Sequence, residues 1–119
     1  MTLRWAVALA GAIVVAAVLA LGSTASGKGK AAKVDVDDDF FTPTSLEVKE
    51  GTTVKWNWVG DDVHDVTKGS GPGKFFESGP QEGSGVLFKH EFKKPGKYNI
   101  ICTLHEEMRM KVKVKEKKK

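Results

Sequence analysis

An all-β, antiparallel sandwich of seven or eight short strands is the fold this sequence predicts, and three observations predict it. Between Val34 and Val114 the chain has no alanine, while nine glycines and all four prolines punctuate it. Valine, phenylalanine, tryptophan and isoleucine dominate the apolar set there, residues whose branched or flat side chains suit a pleated surface. Apolar residues also recur at every second position, which gathers them on one face of an extended strand.

The elements follow in order. Arg4 precedes an apolar run from Trp5 to Leu21 that only Gly11 interrupts, and Ser23-Thr24-Ala25 offers a small-x-small cleavage site. Residues 1–25 are therefore expected to be an export signal, with an uncleaved N-terminal anchor as the alternative; the run is slightly long for a signal core and short for a spanning helix. No cysteine follows the run to carry a lipid anchor. Either reading puts the domain outside the cytoplasm: periplasmic, extracellular, or held at the outer face of the membrane through residues 5–21. Residues 26–33 (SGKGKAAK) read as a flexible linker, 34–114 as the domain, and 115–119 (KEKKK) as a lysine-rich tail.

Within the domain the alternating sets are Val34/Val36, Leu46/Val48, Val54/Trp56/Trp58, Phe88/His90/Phe92, Tyr98/Ile100/Cys102 and Met110/Val112/Val114. Glu50-Gly51, Gly60-Asp61 and Pro95-Gly96 mark turns between them. The stretch from Gly69 to Gly85 is looser, with Phe75-Phe76 as a short strand. The whole chain carries 19 basic and 15 acidic residues, net +4. Residues 34–114 hold 11 basic and 14 acidic, net −3, so the basic excess lies in the tails. A nucleic-acid domain would be basic on its folded face, so that class is set aside. Eighty-one residues suffice for one modest core but not for a multidomain enzyme.

The chemistry centres on the single cysteine. A lone thiol in an exported protein forms no internal disulfide and is open to oxidation wherever it is exposed. Burial as an inert core residue is the plain alternative. In Cys102-Thr103-Leu104-His105-Glu106-Glu107-Met108 a thiol, an imidazole and a thioether stand at three-residue intervals, and His64 lies upstream after the Gly60-Asp61-Asp62 turn. One cysteine, two histidines and a weak methionine are the donors of a blue-copper site. Structural zinc favours further cysteines or histidines over a thioether. A Cys–His nucleophile needs an orienting group and an oxyanion pocket, which nothing here marks, so no catalytic residue is assigned.

These residues resemble the cupredoxins, in their small plastocyanin- and amicyanin-like branch. The resemblance runs through Asp39-Phe40-Phe41-Thr42-Pro43, the segment Leu46 to Trp56, Val63-His64-Asp65-Val66, Pro95-Gly96-Lys97-Tyr98 and the Cys102–Met108 loop. It implies a Greek-key β-sandwich with one type 1 copper, and His64, Cys102, His105 and Met108 match the four ligand positions. Met110 would fit the longer plastocyanin-like spacing, but it opens the alternation with Val112 and Val114, so Met108 is preferred.

Two departures from the resemblance stand out. Val63 and Asp65 replace the proline and asparagine that many relatives carry beside the first histidine, and Glu106 replaces a frequent proline. Asp65 can accept a hydrogen bond from Thr103 but cannot donate one, so both residues are expected beside the ligands. His90, between Phe88 and Phe92, reads as a partly buried sandwich residue, and Trp56 and Trp58 read as core. Asp37-Asp38-Asp39 reads as a solvated corner, since contiguous acids lack calcium-loop spacing.

The resulting expectation is a one-electron carrier that docks transiently with redox donors and acceptors, with His105 as the exposed port. Copper delivery or buffering is the rival, and an accessory subunit of a larger oxidase or reductase is the third possibility. A monomer is expected, with no nucleic-acid partner. Asp61, Asp62, Asp65, Glu106 and Glu107 are expected to ring the metal end.

Overall fold

The computed structural model describes residues 30–117. The expected signal or anchor at 1–25 lies outside the described residues, as do the first residues of the linker and the last two of the tail. Among the described residues no helix is long and apolar enough to cross a membrane.

Among the described residues ten strands follow one another: β1 (Ala31–Asp37), β2 (Phe40–Thr42), β3 (Ser45–Lys49), β4 (Thr52–Trp58), β5 (Val63–His64), β6 (Thr67–Ser70), β7 (Gln81–Glu82), β8 (Leu87–Phe92), β9 (Gly96–Ile101) and β10 (Arg109–Lys115). Seven of them have four residues or more; β2, β5 and β7 are shorter. Phe75-Phe76, expected as a strand, is not one. That segment runs beside β6 through Lys68 N–H to Phe76 O (3.0 Å) and Ser78 N–H to Val66 O (2.8 Å), with a single bridge at Glu77.

One sheet has the order β2-β1-β4-β8 and the other β3-β10-β9-β6, with β5 and β7 forming a small pair. The expected antiparallel sandwich is observed, and within it two pairs differ in direction: β1 pairs with β4, and β3 with β10, in parallel. Alternation of apolar residues is the same for either direction, so the sequence pattern could not report it. Direction follows from the route of the chain, which leaves β1 through β2, crosses to β3 in the other sheet, and returns as β4 beside β1.

The first strand also begins earlier than expected. Ala31, Ala32 and Lys33, assigned to the linker, pair with Thr53, Val54 and Lys55 of β4. Ala32 packs against the core, so these small residues have a partner edge and a surface to cover. At the other end β10 runs one residue past Val114, where Lys115 O accepts from Glu50 N–H at 2.8 Å.

The alternation expected for the central strands is observed. Thr52, Val54, Trp56 and Trp58 of β4 face inward, as do Met110, Val112 and Val114 of β10. Trp56 and Trp58 are core residues, at 0% and 1% exposure. Phe92 is fully buried, its ring 4.9 Å from that of Tyr98 and 6.2 Å from that of Trp56. His90 is half-buried on the same sheet, stacked on Phe76 at 3.7 Å, and burial lowers its pKa. It is a sandwich residue, as expected.

Removing Phe92 tests how far the fold depends on this aromatic core. Phe92→Ala should cost about 3–5 kcal/mol in urea unfolding, from lost burial plus the cavity left behind. Lys115→Ala breaks only the exposed pair with Glu47 (2.8 Å) and should change stability by less than about 1 kcal/mol.

Candidate metal centre

The two four-stranded sheets place their loops at one end. β4 runs out through Val59 to Asp62 into β5, which carries His64, and β9 ends at Ile101, one residue before Cys102. β6 and β9 pair antiparallel with Thr67 opposite Ile101. Continuing that register beyond the strands sets Asp65 opposite Thr103 and brings the two loops together.

The link is made by hydrogen bonds. Thr103 N–H donates to Asp65 Oδ1 at 3.0 Å, Thr103 Oγ1 donates to Asp65 Oδ2, and Thr67 Oγ1 donates to Asp65 Oδ1 at 2.8 Å. Asp65 N–H in turn points at Cys102 Sγ, 3.4 Å away. The expectation that Asp65 accepts from Thr103 is met. One consequence is a correction: Asp65 is buried (3% exposed), with its carboxylate spent on these donors, and so takes no part in the acidic rim.

His64, Cys102 and His105 each offer a ligand atom, and the three lie within 4.8 Å of one another. Two are buried and His105 is half-buried. The segment after Cys102 folds into a tight loop, closed by Met108 N–H to His105 O (2.9 Å) and Cys102 N–H to Met108 O (3.0 Å). Met108 is wholly buried within it. Met110 is also buried, but its Sδ accepts from Trp56 Nε1–H at 3.4 Å, which places it in the core beneath the loop.

The surroundings of the imidazoles hold what sequence reasoning missed. His64 Nε2 lies 3.1 Å from Asp38 Oδ1, while His64 Nδ1 is buried with no hydrogen-bond partner among the described residues. Asp38 also accepts from Asp62 N–H (2.9 Å) and Asp61 N–H (3.1 Å). Those two N–H groups, Asp62 first, together with the His64 ring, hold its carboxyl below the usual carboxylate range. The corner at Asp37–Asp39 keeps its solvent exposure, with the Asp38 side chain 39% and that of Asp39 62% exposed, but Asp38 also meets a histidine 26 positions away, which no local motif could have signalled. Asp39 Oδ1 stands 3.4 Å from His105 Nδ1, and His105 Nε2 is 3.2 Å from Val63 O.

A thiol and two imidazoles converging at one end of the sandwich, with one buried ring nitrogen left unpartnered, is a donor set seeking a soft or borderline cation. Residues 9–114 match the family described as Cupredoxin-like domain. The chain belongs to that family. Its cofactor is copper, and the His–Cys–His group suits one type 1 ion.

Among curated proteins the cupredoxin is 35% identical to "Halocyanin" of Natronomonas pharaonis over 66 residues, 55% of this chain and 40% of that one. It is 36% identical to "Amicyanin-alpha" of Methylorubrum extorquens over 74 residues, 61% of each. The matched span is therefore about two fifths to three fifths of those relatives' length. Among solved structures it resembles a purple cupredoxin from Nitrosopumilus maritimus, with a TM-score of 0.61 and 28% identity over 70% of this chain and 98% of that one.

Asp65 gives this centre a charge test. Asp65→Asn keeps an oxygen for Thr103 N–H and removes one negative charge beside the thiolate. With less negative charge nearby Cu(II) is less favoured, so the reduction potential measured by voltammetry should rise. An unchanged or lower potential would mean that the charge is screened from the metal.

Proposed function

We propose that this cupredoxin is an extracytoplasmic one-electron carrier, with copper held by His64, Cys102 and His105 and weakly by Met108. One observation carries the reading. Of two imidazoles converging on one thiol, His64 is fully buried, whereas the His105 side chain is 32% exposed. A metal held there is shielded from water except through one ligand edge, which suits electron passage better than metal release. Bound copper would supply the Cu(I)/Cu(II) couple. The protein's own part is to hold the donors still, through Asp65, Thr103 and the closed Cys102–Met108 loop, so that little moves when an electron arrives. No residue here is read as catalytic, and the chain is read as a carrier rather than an enzyme. Copper delivery is the rival reading, and the burial of His64, Cys102 and Met108 on a multiply tied loop end argues against ready exchange.

The deciding experiment is a visible spectrum of the soluble domain with Cu(II). An intense thiolate-to-copper band that bleaches reversibly on reduction is expected, and Cys102→Ala should abolish it while far-ultraviolet circular dichroism is retained. A band that survived this substitution would remove Cys102 from the site. Retention of copper through repeated redox cycles against an apo-acceptor would separate carrier from delivery protein.

Partners are read as redox proteins that dock transiently at the His105 end, with the chain monomeric and tethered or exported through residues 5–21. Asp61, Asp62, Glu106 and Glu107 are exposed there, and Asp39 joins them in place of the buried Asp65. Leu104 and Phe40 expose apolar surface beside them, at 48% and 49%. Such an end fits a partner with a basic rim, since small electron-transfer contacts depend on charge steering. Raising salt should slow bimolecular electron transfer, because exposed charges are screened over about 10 Å at 0.1 M. Glu106→Lys combined with Glu107→Lys should slow it at low salt and flatten the salt dependence. Rates indifferent to both changes would leave these acids as ordinary loop charge.

A further inference from the structure

We infer that Asp38 is a positioning residue for the metal centre: its carboxylate fixes the His64 ring so that Nδ1 is the nitrogen presented to Cys102. The inference rests on reading His64 as a ligand, and it adds what decides which of the two ring nitrogens does the ligating.

A neutral imidazole carries one N–H and one lone pair, and only the lone pair binds a metal. His64 is wholly buried, so water cannot settle which nitrogen holds the proton. An ionised carboxylate has no hydrogen to donate. With Asp38 Oδ1 at 3.1 Å, Nε2 must carry the proton and Nδ1 the lone pair. Nδ1 is the ring atom left buried without a partner. Carboxylate, histidine and metal in sequence orient the ring and raise the basicity of the ligating nitrogen.

The carboxylate is itself held. Asp62 N–H donates to Oδ1 at 2.9 Å and Asp61 N–H to Oδ2 at 3.1 Å, so both oxygens are anchored by the loop that leads into His64. Gly60 makes the room: a Cβ there would stand 2.2 Å from Asp38 Oδ1 and 2.9 Å from Asp38 N. The approach is a result of the parallel pairing of β1 with β4. Val36 lies opposite Trp58, so the two chains leave the sheet at the same end and Asp38 arrives beside Gly60. Asp39, at a φ of 79°, turns the chain back into β2 and brings its own carboxylate to His105. One turn thus addresses both imidazoles from the sheet opposite to β9.

Asp38, Asp62 and His64 also group closely enough to hold a second ion. The geometry argues against it. An ion there would need the Nε2 lone pair, whereas Nε2 sits at hydrogen-bond distance from Oδ1 and leaves Nδ1 unsatisfied.

The test uses the apo-protein and the copper protein side by side. Long-range proton–nitrogen correlation spectra of the apo-protein should show His64 as the single Nε2–H tautomer, a readout that needs no metal. Asp38→Ala should mix the tautomers and weaken copper binding by about 10–100-fold in a competition titration with a chelator. Asp38→Asn keeps an acceptor oxygen, so it should preserve the tautomer and recover most of the affinity. Should the alanine variant fold poorly, Gly60→Ala probes the same contact by crowding Asp38 off the ring, and should lower copper affinity likewise. A wild-type Nδ1–H tautomer, or wild-type tautomer and affinity in Asp38→Ala, overturns the inference while the blue band stands. Loss of the band in the wild type would instead overturn the copper reading, with the tautomer result still scored separately.

Discussion

The pairing of β6 with β9 is the constraint from which the metal end of this protein follows. Thr67 opposite Ile101 fixes a register that, carried two residues further, confronts Asp65 with Thr103 and sets the His64 loop against the Cys102 loop. A shift of one residue would turn every side chain of one strand to the other face, separating the thiol from the imidazoles and the core from its partners. The Asp65–Thr103 contacts lock this register at the point where the strands end. They join a buried carboxylate to an exposed threonine and use both carboxylate oxygens, so they are directional where the hydrophobic core beneath is not.

Beneath that lock the core supplies rigidity. Trp56 and Phe92 fill the space between the sheets, and Met110 ties to Trp56 through its sulfur. Two methionines two positions apart thereby take different tasks. Met110 belongs to the alternation of β10 and faces the core, while Met108 lies inside the loop closed over Cys102. A loop this short, closed by backbone bonds at both ends, has few ways to relax when a donor shifts. Such a loop suits the proposed electron carrier, whose donors would change little between two oxidation states.

Charge is distributed to the same purpose. The acidic groups near the metal end divide into an inner pair and an outer set. Asp65 and Asp38 turn inward, one onto Thr103 and the other onto His64, and each braces a loop. Asp39, Asp61, Asp62, Glu106 and Glu107 remain exposed. Sequence position does not separate these roles, since the neighbours Asp38 and Asp39 face different histidines, one buried and one partly exposed.

The sequence by itself determined the class of fold and the inward faces of β4, β9 and β10, and it pointed to His64, Cys102 and His105, which the fold brings together, as the candidate donors. These are properties of period and side-chain chemistry, which adjacent residues carry between them. Asp65 was legible too, because its acceptor-only chemistry and its place beside His64 limit what it can bond. Tertiary structure alone decided the parallel course of β1 with β4 and β3 with β10, the strand at Ala31–Lys33, the burial of Asp65 and the reach of Asp38 to His64. Apolar alternation is blind to strand direction, and a contact across 26 positions depends on which ends of two strands coincide. Only the parallel pairing, which delivers the β1–β2 turn to the metal end, makes Asp38 a neighbour of the histidine it holds.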